Sequence, residues 1–220
     1  MSHAHTMRTS SQQSRYRTPP ALVAKLILAF GPFGLDLAAD AQTTVGEYFL
    51  GPGSPIAEDA LSVSWMRVTP AYRSPVGFLN PPFSLGEIKA LKEAGVPADD
   101  PRIRALRIEN WAEKAYDESL SGFTTIGVFP YAPQTEWFRR YVMGHQRPAH
   151  CGIEGCDCTP SEWSGHAALD YWRLSHRVSF LQPDGSATAN ANVNTAIIHW
   201  GPNPGFVGPW VPSGRYWSYR

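Results

Sequence analysis

The stretch Val76-Gly77-Phe78-Leu79-Asn80-Pro81-Pro82-Phe83-Ser84 decides how this chain reads. A short apolar run, stopped by a polar residue, two prolines and an aromatic, has the form of a buried strand entering a stiff turn. Asn80 then stands at the strand's carboxyl end, where open α/β sheets bind their ligands. Pro81 and Pro82 fix two φ angles and remove two N–H donors, leaving the Pro81 carbonyl as an acceptor beside the Asn80 side-chain oxygen. Phe83 follows on the rigid turn, a poor place to hide a ring in a core. Two acceptors beside a flat apolar face suit a planar ring bearing an exocyclic amino group, its N–H bonds directed to the acceptors and its ring stacked on Phe83. The lone pair of such an amine is delocalised into the ring. Directing both hydrogens at acceptors helps the nitrogen become tetrahedral and supports the positive charge that develops as it attacks. The plainer reading is a proline-rich surface turn with Asn80 as its polar residue.

Further features stand around this stretch in a fixed order. Thr18-Pro19-Pro20 precedes a helix, and Leu35-Asp36-Leu37-Ala38-Ala39-Asp40 follows it. Tyr48-Phe49, then Asp59-Ala60-Leu61 with Trp65, come before the tetrapeptide; Trp111-Ala112-Glu113-Lys114-Ala115, Phe129-Pro130 and Thr135-Glu136-Trp137-Phe138 come after it. Asn80-Pro81-Pro82-Phe83 resembles the catalytic tetrapeptide of S-adenosylmethionine-dependent amino-methyltransferases. The ordered set, over most of residues 17–200, resembles the phage-type DNA N6-adenine methyltransferases (Dam-like).

That resemblance implies a doubly wound α/β fold with a mostly parallel, seven-stranded sheet and an antiparallel last strand. It implies methyl transfer to adenine N6 in double-stranded DNA, with the flipped base held by Asn80 and Pro81, stiffened by Pro82 and stacked on Phe83. For the cofactor it implies Thr18 and Pro19 at the methionine end, Asp36, Ala38 and Asp40 in a variant cofactor motif, and Asp59 at the adenine, with Glu58 the alternative. It places the protein in the cytoplasm of a bacterial or phage-infected cell. Rival readings are the same chemistry on cytosine N4, an RNA base or a protein glutamine, and a non-catalytic methyltransferase-like protein that binds DNA or a partner.

At 220 residues, 43% of them hydrophobic, the chain is long enough for one α/β domain with insertions. Its formal net charge is zero, so any attraction to DNA must come from a local basic patch. No apolar run approaches the length of a membrane helix, and no apolar secretory core opens the chain. The cysteine count, three, is odd and does not suggest a disulfide framework.

In chain order, residues 1–16 read as a disordered polar arm. Thr18 is a candidate N-cap for a helix carrying Leu22, Leu26 and Phe30, stopped by Gly31-Pro32. Strands are expected at Phe33–Ala38, Val45–Leu50 and Asp59–Val63. Asp36, a carboxylate in an apolar run, needs a buried partner, and a cofactor ammonium or ordered water is the candidate. Residues 86–110 read as an inserted helix, turn and helix, running on through Asn110–Ser119. Phe123–Phe129 is a buried strand. Residues 144–176 are irregular. They hold Arg147 and Arg173, with Arg177 just beyond, all three expected on DNA by resemblance and chemistry; they also hold Cys151, Cys156 and Cys158, which with His145 or His150 make a donor set for a structural zinc or are simply reduced thiols. Strands at Arg177–Leu181 and Thr195–Trp200 flank a polar loop, Gln182–Asn194. Residues 201–220 form a tail rich in Gly, Pro, Trp and Tyr.

Overall fold

The computed structural model describes residues 16–69, 76–143, 168, 170–182, 184–202 and 216–217. It is an α/β fold around a mixed sheet whose central part is parallel. In chain order the strands are β1 (Leu35–Asp36), β2 (Tyr48–Phe49), β3 (Val76–Leu79), β4 (Thr124–Pro130), β5 (Asp170–Leu174), β6 (Val178–Leu181), β7 (Ala187–Val193), β8 (Thr195–Trp200) and β9 (Tyr216–Trp217). The main sheet runs β2-β1-β3-β4-β8-β5-β9. β2, β1, β3 and β4 are mutually parallel, and β8 is inserted antiparallel between β4 and β5. The sheet order turns at β1: the chain leaves it toward β2, then returns on its other side as β3.

Period-two alternation sorts the two faces. Val76, Phe78, Ile126, Val128 and Ile197 point to one core, with Leu22, Leu26, Ala29 and Phe30 of α1 (Pro20–Phe30). Leu79, Phe129, Ala196, Ile198 and Trp200 point to the other. That side is covered by α5 (Ile108–Leu120), through Trp111, Ala112 and Ala115, and by α6 (Glu136–Phe138), through Phe138. Helices therefore cover both faces. Each fully buried large apolar side chain contributes roughly 2 kcal/mol, so the continuous apolar runs of β3 and β4 are what two-sided burial demands. Gly77 is set by the same packing: a Cβ there would lie 2.8 Å from both Leu37 Cδ1 and Phe123 Cε1.

Several elements differ from the sequence expectation. Asp59–Val63 forms turns and bends, not a strand; the Asp59 carboxylate accepts from Leu61 N–H and closes the chain locally. The polar stretch expected as a loop contains β7, which pairs antiparallel with β6 in a separate two-stranded sheet. The main-sheet strand of this region is β5, which lay unrecognised within residues 144–176. The inserted segment is α3 (Leu85–Glu93) and α4 (Pro101–Ala105), and the chain breaks at Leu106–Arg107 before α5. Pro19, not Thr18, occupies the N-cap of α1. Tyr16, assigned to the arm, belongs to the folded domain: it sits beside the Arg17–Leu181 bridge, and its carbonyl accepts from Asn80. No helix among the described residues is long and apolar enough to cross a membrane.

Candidate functional site

A cavity of about 900 Å³ opens at the carboxyl ends of β1 and β3, the point where the sheet order turns. Its wall includes Thr18, Asp36, Ala38, Asp40, Asp59, Asn80 and Pro82, seven residues singled out from the sequence. Thr18 comes from the entry to α1, Asp36 and Ala38 from β1 and its exit, and Asn80 from the exit of β3. Pro19, Pro81 and Phe83 are not part of the wall. Pro81 is buried, while Phe83 stands at the surface, 38% exposed.

Asn80 is half-buried, and its Nδ2 donates to the Tyr16 carbonyl at 3.1 Å. That contact fixes the amide plane and leaves Oδ1 as the acceptor.

Asp36 is almost fully buried. Its Oδ2 accepts from Val45 N–H at 2.9 Å and its Oδ1 from Ala38 N–H at 3.3 Å. The partners expected from a ligand or water are thus supplied by the chain's own loop backbone. They do not balance desolvation: burial pushes the Asp36 carboxyl up to about 7, against the pull of the two backbone N–H groups. Asp40 organises the next turn, its Oδ1 accepting from Gln42 N–H, Thr43 N–H and the Thr43 hydroxyl. Gly51, at φ +138°, faces this turn; a Cβ there would collide with the Ala39 carbonyl. The narrow approach that glycines usually provide is therefore split between Ala38-Ala39 and Gly51.

Asp59 lies across the cavity, with Oδ2 3.8 Å from Arg104 of α4. Glu58, the alternative, also lines the wall and accepts from Gly53 N–H. Trp65 is fully buried and donates to the Ala60 carbonyl, a core residue.

The inserted segment proves to be part of the wall. Glu87, Ala90 and Leu91 of α3, Pro101, Arg102 and Ala105 of α4, Leu106 and Trp111 all line the cavity. The Ser84-x-x-Glu87 pattern is a capping signature. Half of it forms: Glu87 N–H donates to Ser84 Oγ at 3.2 Å. Glu87 Oε2 and Thr18 Oγ1 are buried without a hydrogen-bond partner. An unpaired polar atom in a native wall calls for a ligand or water to meet it.

Arg173 and Arg177 are not on the cavity. The β4–β8–β5 register sets Arg173 level with Ala196 and Phe129, at the same carboxyl edge as Asn80. Its guanidinium lies 5.3 Å from the Tyr131 ring centroid. Arg177 is exposed. Arg147, His150, Cys151, Cys156 and Cys158 lie outside the described residues. Among the described residues no three side chains cluster as metal ligands. Neither a family model, a curated protein nor a solved structure matches this chain.

Proposed function

We propose that this protein is an S-adenosylmethionine-dependent methyltransferase acting on an exocyclic amino group, adenine N6 of double-stranded DNA, on a methyltransferase-like version of the α/β fold. The observation that carries the reading is the position of Asn80. An oriented side-chain acceptor stands at the carboxyl end of β3, on the wall of a cavity at the turn of the sheet order, with a partly exposed aromatic three residues on. The insertion of β8 antiparallel between β4 and β5 supports the same fold version.

The cavity suits the cofactor on chemical grounds. Five carboxylates line it, Asp36, Asp40, Glu58, Asp59 and Glu87, against Arg17 and Arg102. Such a wall disfavours the phosphates of a dinucleotide or nucleoside triphosphate. It accepts a cationic ligand that carries amine and hydroxyl donors, and Thr18 Oγ1 offers an unpaired hydroxyl. Thr18 and Asp36 would hold the methionine end, and Asp59 or Glu58 the adenine end.

S-adenosylmethionine, when bound, supplies an electrophilic methyl group on a good leaving group. The chain's own task is alignment and electrostatics. Asn80 Oδ1 accepts one N–H of the incoming amine, while the Tyr16 contact keeps the amide from rotating. Pro82 stiffens the wall, and Phe83 presents an exposed ring for a base taken out of the duplex stack, an extrusion that costs a few kcal/mol. The methylated nitrogen loses its proton to solvent after the transfer, so no strong general base is required.

The test is incubation with labelled S-adenosylmethionine and unmethylated duplex DNA, followed by mass spectrometry of the nucleosides. The expected product is N6-methyladenine. Asn80→Ala is expected to lower turnover at least a hundredfold, the size of losing one transition-state hydrogen bond at a preorganised site, with cofactor binding retained. Cofactor binding without DNA methylation would redirect the reading to RNA or protein amides. Full activity in Asn80→Ala would end it.

A further inference from the structure

We propose that Glu87 makes the cavity a charge-reading site, one that holds the cationic S-adenosylmethionine in preference to its demethylated product, S-adenosylhomocysteine. This rests on the cofactor reading above and extends it to a residue with no place in the tetrapeptide. Four of the five wall carboxylates are already engaged. Asp36 takes two backbone N–H groups. Asp40 holds its own turn, Glu58 accepts from Gly53, and Asp59 accepts from Leu61. Of the two wall arginines, Arg102 is spent outward on Asp100, with contacts of 2.9 and 3.0 Å.

Glu87 differs from all of these. It is 8% exposed, and its Oε2 has no partner. Its place on the first turn of α3 would let it reach back to cap Ser84, yet only the Ser84-to-Glu87 half of that exchange forms. Thr18 Oγ1, on a residue also 8% exposed, is a second unpaired polar atom of the same wall. Burying a carboxylate with no compensation is unfavourable, and a cation in the cavity removes that penalty.

S-adenosylmethionine carries a sulfonium, an ammonium and a carboxylate, for a net charge of one positive. After methyl loss the sulfur is a neutral thioether and the product has no net charge. The wall's attraction therefore weakens when transfer is complete, and the product leaves more readily than the cofactor entered. Ser84, the N-cap of α3, directly follows Phe83, so Glu87 is tied through one helical turn to the catalytic turn.

Calorimetric titration of the full chain with three ligands tests this: S-adenosylmethionine, S-adenosylhomocysteine, and sinefungin, in which a charged amine replaces the sulfonium methyl. The wild type is expected to bind the two cations roughly tenfold more tightly than the neutral product, the scale of one charged hydrogen bond. Glu87→Gln is expected to bring all three within about twofold by weakening only the cations. Equal or tighter product binding by the wild type overturns the proposal, as does a uniform loss for all three ligands in Glu87→Gln, which would mean a shared hydrogen bond. If Glu87→Gln fails to fold, the wild-type ratios alone decide. Binding of none of the three would overturn the cofactor reading as well, whereas tight, charge-blind binding overturns only this proposal.

Discussion

Glu118 and Glu87 are both buried glutamates on helices, and their surroundings are opposite. Glu118, on α5, accepts from Lys114 Nζ at 2.7 Å, from Ser64 Oγ at 3.3 Å and from Met66 N–H at 3.2 Å. Lys114 in turn lies 5.7 Å from the Trp65 ring centroid. Every part of that carboxylate has a fixed partner, and the cluster pins residues 64–66 to α5. Glu87, on α3, has an oxygen with none, and it stands in the wall of a cavity. The same side chain at the same depth is a fastening in one place and an open valence in the other. Partners, not burial, separate structure from function here.

The largest effect that would break this comparison is at Glu118. Glu118→Ala removes the carboxylate, strands Lys114 and leaves two donors unpaired. Breaking a buried ion pair from one side costs about 4 kcal/mol. Chemical denaturation of the variant should show a loss of that order, together with early exposure of Trp65 fluorescence. A loss below about 1 kcal/mol, the range of surface ion pairs, would mean that the cluster is as idle as an exposed bridge and that the contrast with Glu87 is empty.

Asp36 sits between the two cases, with backbone partners and no cation. Its folded-state pKa, about 7, lies above the usual 3.8, so the folded state binds the proton more tightly than the unfolded state. The associated stability is fully present below the ordinary carboxylate range and is lost as pH rises through about 7. Between pH 5 and pH 8 the loss amounts to roughly 2 to 3 kcal/mol. His199, whose pKa is lowered by burial, acts with the opposite sign, costing stability as pH falls below its ordinary value. Stability curves of wild type and Asp36→Asn at several pH values separate the two, because the histidine contribution cancels in the difference. The variant should lose the fall toward pH 8 and keep the fall toward low pH. Parallel curves would show that Asp36 is ionised without penalty.

What the residues announced in advance follows the same physics. β3, β4 and β8 are apolar, partly β-branched runs closed by breakers, and two-sided burial leaves such a run little else to be. α1 was legible from Leu22, Leu26 and Phe30 with Gly31 as its stop. Asn80 was legible because prolines make a strand exit unambiguous. β7, Ala-Thr-Ala-Asn-Ala-Asn-Val, was not, because five of its seven residues are Ala or Asn, which strands disfavour; it forms by pairing with β6. Asp59–Val63 failed in the other direction, where a local carboxylate-to-backbone bond outcompeted a ladder. Glu87 was not singled out at all: in the sequence it is one more charged residue on the first turn of a helix, and nothing local hints that its carboxylate is left unmatched. Only the wall of the cavity, assembled from α1, β1, β3, α3 and α4, makes the mismatch visible.

The smallest expected effect is the one that sharpens the comparison most. Glu87→Gln keeps the size of the side chain and replaces a carboxylate whose Oε2 has no hydrogen-bond partner within the protein. Where Glu118→Ala destabilises, Glu87→Gln should leave the ligand-free protein equally stable or more stable by about 1 kcal/mol, since an amide is less costly to bury than an unpaired carboxylate. With saturating S-adenosylmethionine the order should reverse: the wild type gains more from binding, because ligand stabilisation scales with affinity. A crossing of the two melting temperatures with ligand concentration is the signature of a group held for a ligand. A variant that is less stable both with and without ligand would make Glu87 a structural residue like Glu118.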